Sequence, residues 1–358
     1  MRRRTALTTA ITLVLCLAGC ASTPPSESAL TDLGADDRPI NVVVSAERWK
    51  FDDSPGWVVT TPSFRVYTTG DPNVTTDRLP AFLEFALAHY TTELAPLPRP
   101  ERKLETYMMQ SRHEWERLTR RTMGDKADMY LRIVRGGYAA GGRGVYFNIG
   151  PRDSLLIAAH EGWHQYTQAT FKRPLPVWLE EGIAVYMEGF RWDPSRPDRP
   201  IFLPWSNPER FDALRDAVSK GRLQSLTDLL SSTPQERITK GGDEILTYYA
   251  QLWALTHFLR EGDAGAHAGD LSRLLQDAAS GQIERTMDAR LGADRARAAL
   301  RRRAGPEAML TYFADPNDPS SLDGLSRRYE AFVYDIVRSG ARHAVTAGKS
   351  PISAASPN

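Results

Sequence analysis

The stretch from Asp153 to Phe190 constrains this chain more than any other, because it must place several ionisable groups inside two mostly apolar segments. Its centre reads His160-Glu161-Gly162-Trp163-His164. Residues four apart stack on one face of a helix, so a helix here projects both imidazoles toward one point, near enough to share a metal ion. Glu161 stands one step round from the pair. This is the H-E-x-x-H arrangement, in which one helix gives two zinc ligands and a carboxylate that takes a proton from metal-bound water. The spacing by itself also suits a surface or core pair of histidines.

The chain continues Pro174-Leu175-Pro176-Val177-Trp178-Leu179-Glu180-Glu181-Gly182-Ile183-Ala184-Val185-Tyr186. A proline at the first turn of a mostly apolar run predicts a second, buried helix. Burying two adjacent carboxylates there is costly unless a cation compensates them. A third zinc ligand would be such a compensation.

H-E-x-x-H followed by W-L-x-E-G-x-A resembles the gluzincin metallopeptidases, and more narrowly the peptidase MA-like domains, over about 150–190 and more loosely over 220–260. The resemblance implies an α+β, gluzincin-like fold: a sheet-bearing N-terminal lobe over 40–150, a mainly helical lobe over 151–340, and a zinc site between them. It implies Zn2+ held by His160, His164 and Glu181, water at the fourth position, and Glu161 as the general base that later delivers its proton to the leaving amine. Glu180 falls at the variable position of the motif. The interval from His164 to Glu181 is slightly shorter than in aminopeptidase relatives, which keeps Glu180 as an alternative ligand.

Gluzincins commonly set a Tyr or His opposite the metal. Tyr-Ala-Gln ahead of an apolar helix, within Thr247 to Leu255, resembles a segment of peptidase MA-like proteins. Tyr249 is therefore the candidate oxyanion donor, ahead of Tyr248 and His257, with core packing as the alternative for each. Some gluzincins orient a metal-bound histidine with an Asp four residues beyond the ligand Glu. Position 185 here is Val, which leaves Glu188 or Glu180 for that role.

At the N-terminus Arg2, Arg3 and Arg4 precede Ala6 to Ala18, a run too short and too Thr-rich to span a membrane, and Leu17-Ala18-Gly19-Cys20 follows. That tetrapeptide resembles a bacterial lipobox. It implies a signal peptide over 1–19, lipid on Cys20, and anchoring to a membrane of the cell envelope from outside the cytoplasm. Ala21 and Ser22, with no Asp, suit the outer membrane facing the periplasm if the host is Gram-negative. Cys16 would leave with the signal, so no disulfide forms and the core alone must hold the fold. Removing three arginines changes 45 basic against 44 acidic residues to 42 against 44, a near-neutral chain with no electrostatic case for nucleic acid.

Residues 20–39, rich in Ser, Thr, Pro and Asp, predict a disordered tether, and a disordered tail is expected over 341–358. Strands are expected at 40–44, 57–60 and 64–68, with a turn at Pro55-Gly56. A helix follows from Asp77, placed to cap it, to Leu94; His89 within it reads as structural. Lys103 to Met109 reads as a strand and Ser111 to Arg121 as a helix. The glycines from Gly136 to Gly144 lack a Gly-Lys-Ser/Thr ending and precede a strand at 145–149, so a hairpin or loop is favoured over a phosphate site. By analogy with gluzincins, the strand at 145–149, which ends just before the histidine helix, would be the sheet edge along which a peptide lies. The helix of the histidine pair should run from about Pro151 to Phe171. After a loop over 191–208, helices are expected at 208–219, 225–231, 243–260, 268–279, 292–303 and 321–338. The run Arg301-Arg302-Arg303 reads as a solvated helix face.

These features predict a lipid-anchored zinc peptidase, an endopeptidase acting on peptide or protein substrates in the bacterial envelope. Two alternatives stand beside it: a non-catalytic envelope lipoprotein that keeps the fold for binding or assembly, and zinc-dependent hydrolysis of a non-peptide bond such as a cell-wall amide.

Overall fold

A computed structural model describes residues 42–196, 198–239 and 241–352; the expected signal segment, Cys20 and the tether lie outside them. The N-terminal half carries a six-stranded sheet in the order β1-β2-β3-β4-β6-β5. Its strands are β1 (Ser45–Phe51), β2 (Ser54–Thr60), β3 (Phe64–Thr69), β4 (Leu104–Met109), β5 (Gly137–Ala140) and β6 (Arg143–Phe147). β1, β2 and β3 form an antiparallel meander, β3, β4 and β6 run parallel, and β5 returns antiparallel on the outer edge of β6.

Period-two alternation decides which side of the sheet each helix covers. Phe64, Val66, Leu104, Met108 and Tyr146 pack in the main core with α1 (Val74–Tyr90). Met109, Val145, Phe147 and Tyr138 point the other way and close a second cluster with Trp115 and Leu118 of α2 (Arg112–Met123). The short α3 (Ala127–Tyr130) then leads back to β5. The β5–β6 hairpin turns through Gly141 and Gly142 at φ +59° and +75°, two consecutive left-handed residues that a Gly-Gly pair adopts without strain.

Four local expectations are corrected. β1 starts at Ser45 rather than in the valine run, and the first turn falls at Asp52-Asp53, with Asp52 at φ +53°; Pro55 and Gly56 lie inside β2. Asp and Asn tolerate the left-handed region through local hydrogen bonds, so Asp-Asp can close this turn without the Pro-Gly pair. α1 is capped by Asn73, whose side chain accepts from the backbone of Thr75 and Thr76, and Asp77 sits in its first turn. The tail from Ala341 to Ile352 is not structureless, and 353–358 lie outside the described residues. It forms α15 (Ala341–Thr346), buries Val345 completely and pairs Arg342 with Asp212 at 2.8 Å.

The C-terminal half is mostly helical. α4 (Pro151–Thr170) and α5 (Val177–Met187) come first, then a ribbon of β7 (Phe190–Trp192) and β8 (Pro200–Phe202) inside the expected loop. The ribbon sets Phe190 and Phe202 on Phe82 of α1, at 4.8 and 5.4 Å between ring centroids. There follow α6 (Pro208–Ser219), α7 (Leu226–Ser231), α8 (Pro234–Ile238), α9 (Gly242–Glu261), α10 (Ala268–Ser280), α11 (Ile283–Leu291), α12 (Ala293–Arg302), α13 (Glu307–Tyr312) and α14 (Pro319–Ile336). No described helix is long and apolar enough to cross a membrane.

α9 is the central helix of this half, and α5 lies against it at Gly182. A Cβ there would sit 2.7 Å from Thr256 Oγ1 and 3.1 Å from the Leu252 carbonyl, so the two helices approach this closely only without a side chain. Gly182→Ala is expected to lower unfolding free energy by about 1–3 kcal/mol, the usual cost of overpacking. Urea denaturation measures it, and an unchanged midpoint would mean that the helices separate without loss.

Candidate metal centre

α4 buries Leu155, Ala158, Ala159, Trp163 and Tyr166 against the sheet and α1, and Tyr90 of α1 donates from its hydroxyl to the Ala159 carbonyl at 2.6 Å. With that face fixed, His160 and His164 emerge together on the side toward α5. Their Nε2 atoms lie 3.3 Å apart, and each is 3.7 Å from Glu181 Oε2. The three side chains are 15, 12 and 18 % exposed. Their donor atoms fall within 4.8 Å of one another, a group that could hold a metal ion.

Glu180 turns elsewhere. Its Oε1 lies 2.9 Å from His164 Nδ1 and accepts from Thr167 Oγ1 at 2.7 Å. Glu188, two turns along α5 from Glu181, places Oε1 2.9 Å from His160 Nδ1. Each histidine thus has its own carboxylate on Nδ1, and the two glutamates share the role that an Asp at position 185 would have filled. Glu188 is held in turn by Asn207 Nδ2 at 2.8 Å and by Arg210, whose Nη2 and Nε lie 3.0 and 3.3 Å from its two oxygens.

This outer layer sets the tautomers. A carboxylate on Nδ1 keeps the proton there and turns the Nε2 lone pair inward. Two inward lone pairs 3.3 Å apart repel unless a proton or a metal ion lies between them. Two imidazole nitrogens, each ring held from behind by a carboxylate, and one carboxylate oxygen are a donor set that could hold a divalent ion.

Electrostatics point the same way. Burial alone would lower His160, but hydrogen bonds to Glu181 and Glu188 outweigh it and raise its pKa to about 9. His164 is raised well above its ordinary value against burial, by Glu181 and Glu180. Burial pushes Glu181 up, yet the two imidazoles hold it far below the carboxylate range. Glu188 is held at about 2 against burial, by Arg210 first and then by His160. Four carboxylates, including Glu161, therefore surround two imidazoles and one guanidinium, and the site attracts positive charge.

Both imidazoles have raised folded-state pKa values, so the metal-free fold gains stability from their protons that is fully present below pH 6.5. It is lost as pH rises through about 9 for His160. The metal-free protein is expected to show a falling thermal midpoint between pH 6.5 and 9. A divalent ion competes with the same protons, so its affinity should rise across that window. Isothermal titration at several pH values checks this, and a pH-independent affinity would contradict the proposed donors.

Glu161 faces β5. Burial raises its pKa, the two histidines oppose that, Glu181 adds to it, and the Ala139 backbone N–H stabilises the charged form. Pairing alternates along β5, so Ala139 and Gly137 direct their main-chain groups away from β6. The Ala139 carbonyl accepts from Gln168 Nε2 at 3.2 Å, and Gly142 N–H donates to Gln168 Oε1 at 3.2 Å. The expected edge strand is corrected here: β6 is paired on both sides, by β4 and β5, because the chain of the hairpin folds back outside it, so β5 is the outermost strand, and it is tied to α4 at Ala139.

Tyr249 of α9 reaches the site. Its ring stands nearly perpendicular to that of His160 at 6.2 Å between centroids, with the Arg210 guanidinium 5.3 Å from its own centroid. The other two candidates belong to the core. Tyr248 is fully buried and donates to the Ser232 carbonyl at 3.1 Å. His257 is buried, stacked 3.6 Å from Trp205 and 3.1 Å from Glu261. His89 is also packed, stacking on Phe202 at 5.0 Å, and burial lowers its pKa to about 4.

A family model described as a protein of unknown function (DUF1570) matches residues 156–279. The matched region runs from within α4 to the end of α10 and contains His160, Glu161, His164, Glu180, Glu181, Glu188, Arg210 and Tyr249; the sheet lies outside it. No curated protein and no solved structure matches the chain. Asn207 and Arg210 are the members of the matched cluster that sequence reading did not single out. Asn207-Pro208 signals a helix start, but nothing in the sequence links the arginine after it to a glutamate 22 positions earlier.

Proposed function

We propose that this chain is a zinc-dependent peptidase of gluzincin type, anchored through lipid on Cys20 to the bacterial cell envelope and acting there on peptide or protein substrates. The observation that carries the reading is the convergence of His160 Nε2, His164 Nε2 and Glu181 Oε2 with Glu161 beside them. Zinc bound by these three residues would lower the pKa of a coordinated water to about 7 and polarise a carbonyl. Glu161, whose pKa burial raises against the pull of the imidazoles and the Ala139 N–H, serves as the proton acceptor and later returns the proton to the leaving amine. Tyr249, whose ring stands 6.2 Å from that of His160, would donate to the developing oxyanion. Glu180 and Glu188 keep the imidazoles in the metal-binding tautomer. An extended peptide would lie along β5, the outermost strand of the sheet.

A second reading is a non-catalytic envelope lipoprotein that retains the site for binding or assembly. The hydrogen bond from Gln168 to the Ala139 carbonyl favours it, since one outward-facing group of that strand is already satisfied. The experiment is incubation of the zinc-loaded mature protein with a diverse peptide library. Internal cuts are expected, trimming would change the class to exopeptidase, and bound zinc without cleavage of any peptide would favour the second reading.

A further inference from the structure

Arg210, in the first turn of α6, has one of the few largely buried guanidinium groups among the described residues, and it takes none of the roles above. Its side chain is 15 % exposed and that of Glu188 is 10 % exposed. One guanidinium edge grips both carboxylate oxygens of Glu188 at 3.0 and 3.3 Å, and its plane approaches the Tyr249 ring at 5.3 Å. Glu188 meets His160 at 2.9 Å, and Tyr249 meets the other side of the His160 ring at 6.2 Å between centroids. The four side chains form a closed ring in which Arg210 touches the two that flank the imidazole.

We propose that Arg210 is a positioning residue that locks the Glu188 carboxylate onto His160 and seats the Tyr249 ring, so that metal affinity and the placement of the oxyanion donor depend on one side chain. The inference rests on the metal-centre reading. A carboxylate held by one hydrogen bond can swing about its last torsion, whereas a two-point fork fixes its plane and therefore the tilt of the imidazole behind which it stands. Lysine would supply the same charge as a single point without the fork. The bland alternative is that Arg210 only neutralises a buried anion, and the two differ in what Arg210→Lys does.

The test uses the mature chain and zinc itself, with dissociation constants measured by chelator competition and the thermal midpoint of each metal-free variant recorded. Arg210→Lys and Arg210→Met are both expected to weaken zinc binding by about 10- to 100-fold, the range for losing a group that orients a metal ligand. In a Glu188→Gln background the same substitutions should change affinity by less than about threefold, because residues acting through one contact are not additive. On a peptide that the wild type cleaves, Arg210→Lys at saturating zinc should lower kcat, and that loss should shrink in a Tyr249→Phe background. Wild-type affinity in Arg210→Lys would overturn the positioning role and leave charge compensation. Equal losses with and without Glu188 would overturn it as well. A wild-type protein that takes up no zinc would overturn the metal centre and this inference together.

Discussion

Glu161→Gln is expected to abolish peptide hydrolysis, by at least the ~10^2- to 10^4-fold that positioned general base catalysis supplies, while zinc binding stays near wild type. Gln keeps the size of the side chain and an oxygen that can accept from the Ala139 N–H, so the local packing should persist. What disappears is the ability to take a proton, since an amide has no basic lone pair at neutral pH. Nearby carboxylates cannot substitute: Glu180 and Glu188 are committed to His164 and His160 at 2.9 Å, and Glu181 lies against both Nε2 atoms. Initial rates on a cleaved peptide, read beside metal content, decide it. Full activity in that variant would end the proposed mechanism, and lost activity with lost zinc would make Glu161 a structural residue.

Removing Glu181 and removing Glu180 should differ sharply, although the residues are adjacent. Glu181→Ala takes away an oxygen 3.7 Å from both Nε2 atoms and is expected to weaken zinc binding by far more than Glu180→Ala. For Glu180→Ala the expected loss is about 10- to 100-fold, because the His164 Nδ1 loses its partner while the donor set survives. That variant also removes the Thr167 hydroxyl's acceptor at 2.7 Å and leaves it the His164 carbonyl at 3.2 Å, so little stability should be lost with it. Competition with a chromogenic chelator gives both affinities. If Glu180→Ala proves the more damaging, the ligand assignment passes to Glu180.

Much of this arrangement is written in local spacing. A helical period of 3.6 residues is enough to put His160 and His164 on one face, and in the structure their Nε2 atoms do meet. The helices at 208–219 and 268–279 likewise follow from apolar periodicity and appear within a residue of their expected limits. Short helices such as Pro234–Ile238 and Glu307–Tyr312 escape such reading, because five or six residues hardly complete a turn and a half and carry no period. The turn at Asp52-Asp53 was concealed for another reason: Pro55-Gly56 is the stronger local turn signal, but strand pairing keeps those residues in β2.

For this protein the sequence alone determined which residue types stand four apart on a helix, which run of apolar residues follows, and that two adjacent glutamates must be buried or compensated there. Only the tertiary structure decided what each glutamate does. Glu180, Glu181 and Glu188 lie on one helix and look alike in composition, and their separate partners, His164 Nδ1, the two Nε2 atoms and His160 Nδ1, follow from how α5 is rotated against α4. That rotation is set by long-range packing, above all by α9 pressed against Gly182 and by Arg210 arriving from α6. Contacts between residues distant in the chain depend on the whole core, and no short window of sequence carries them.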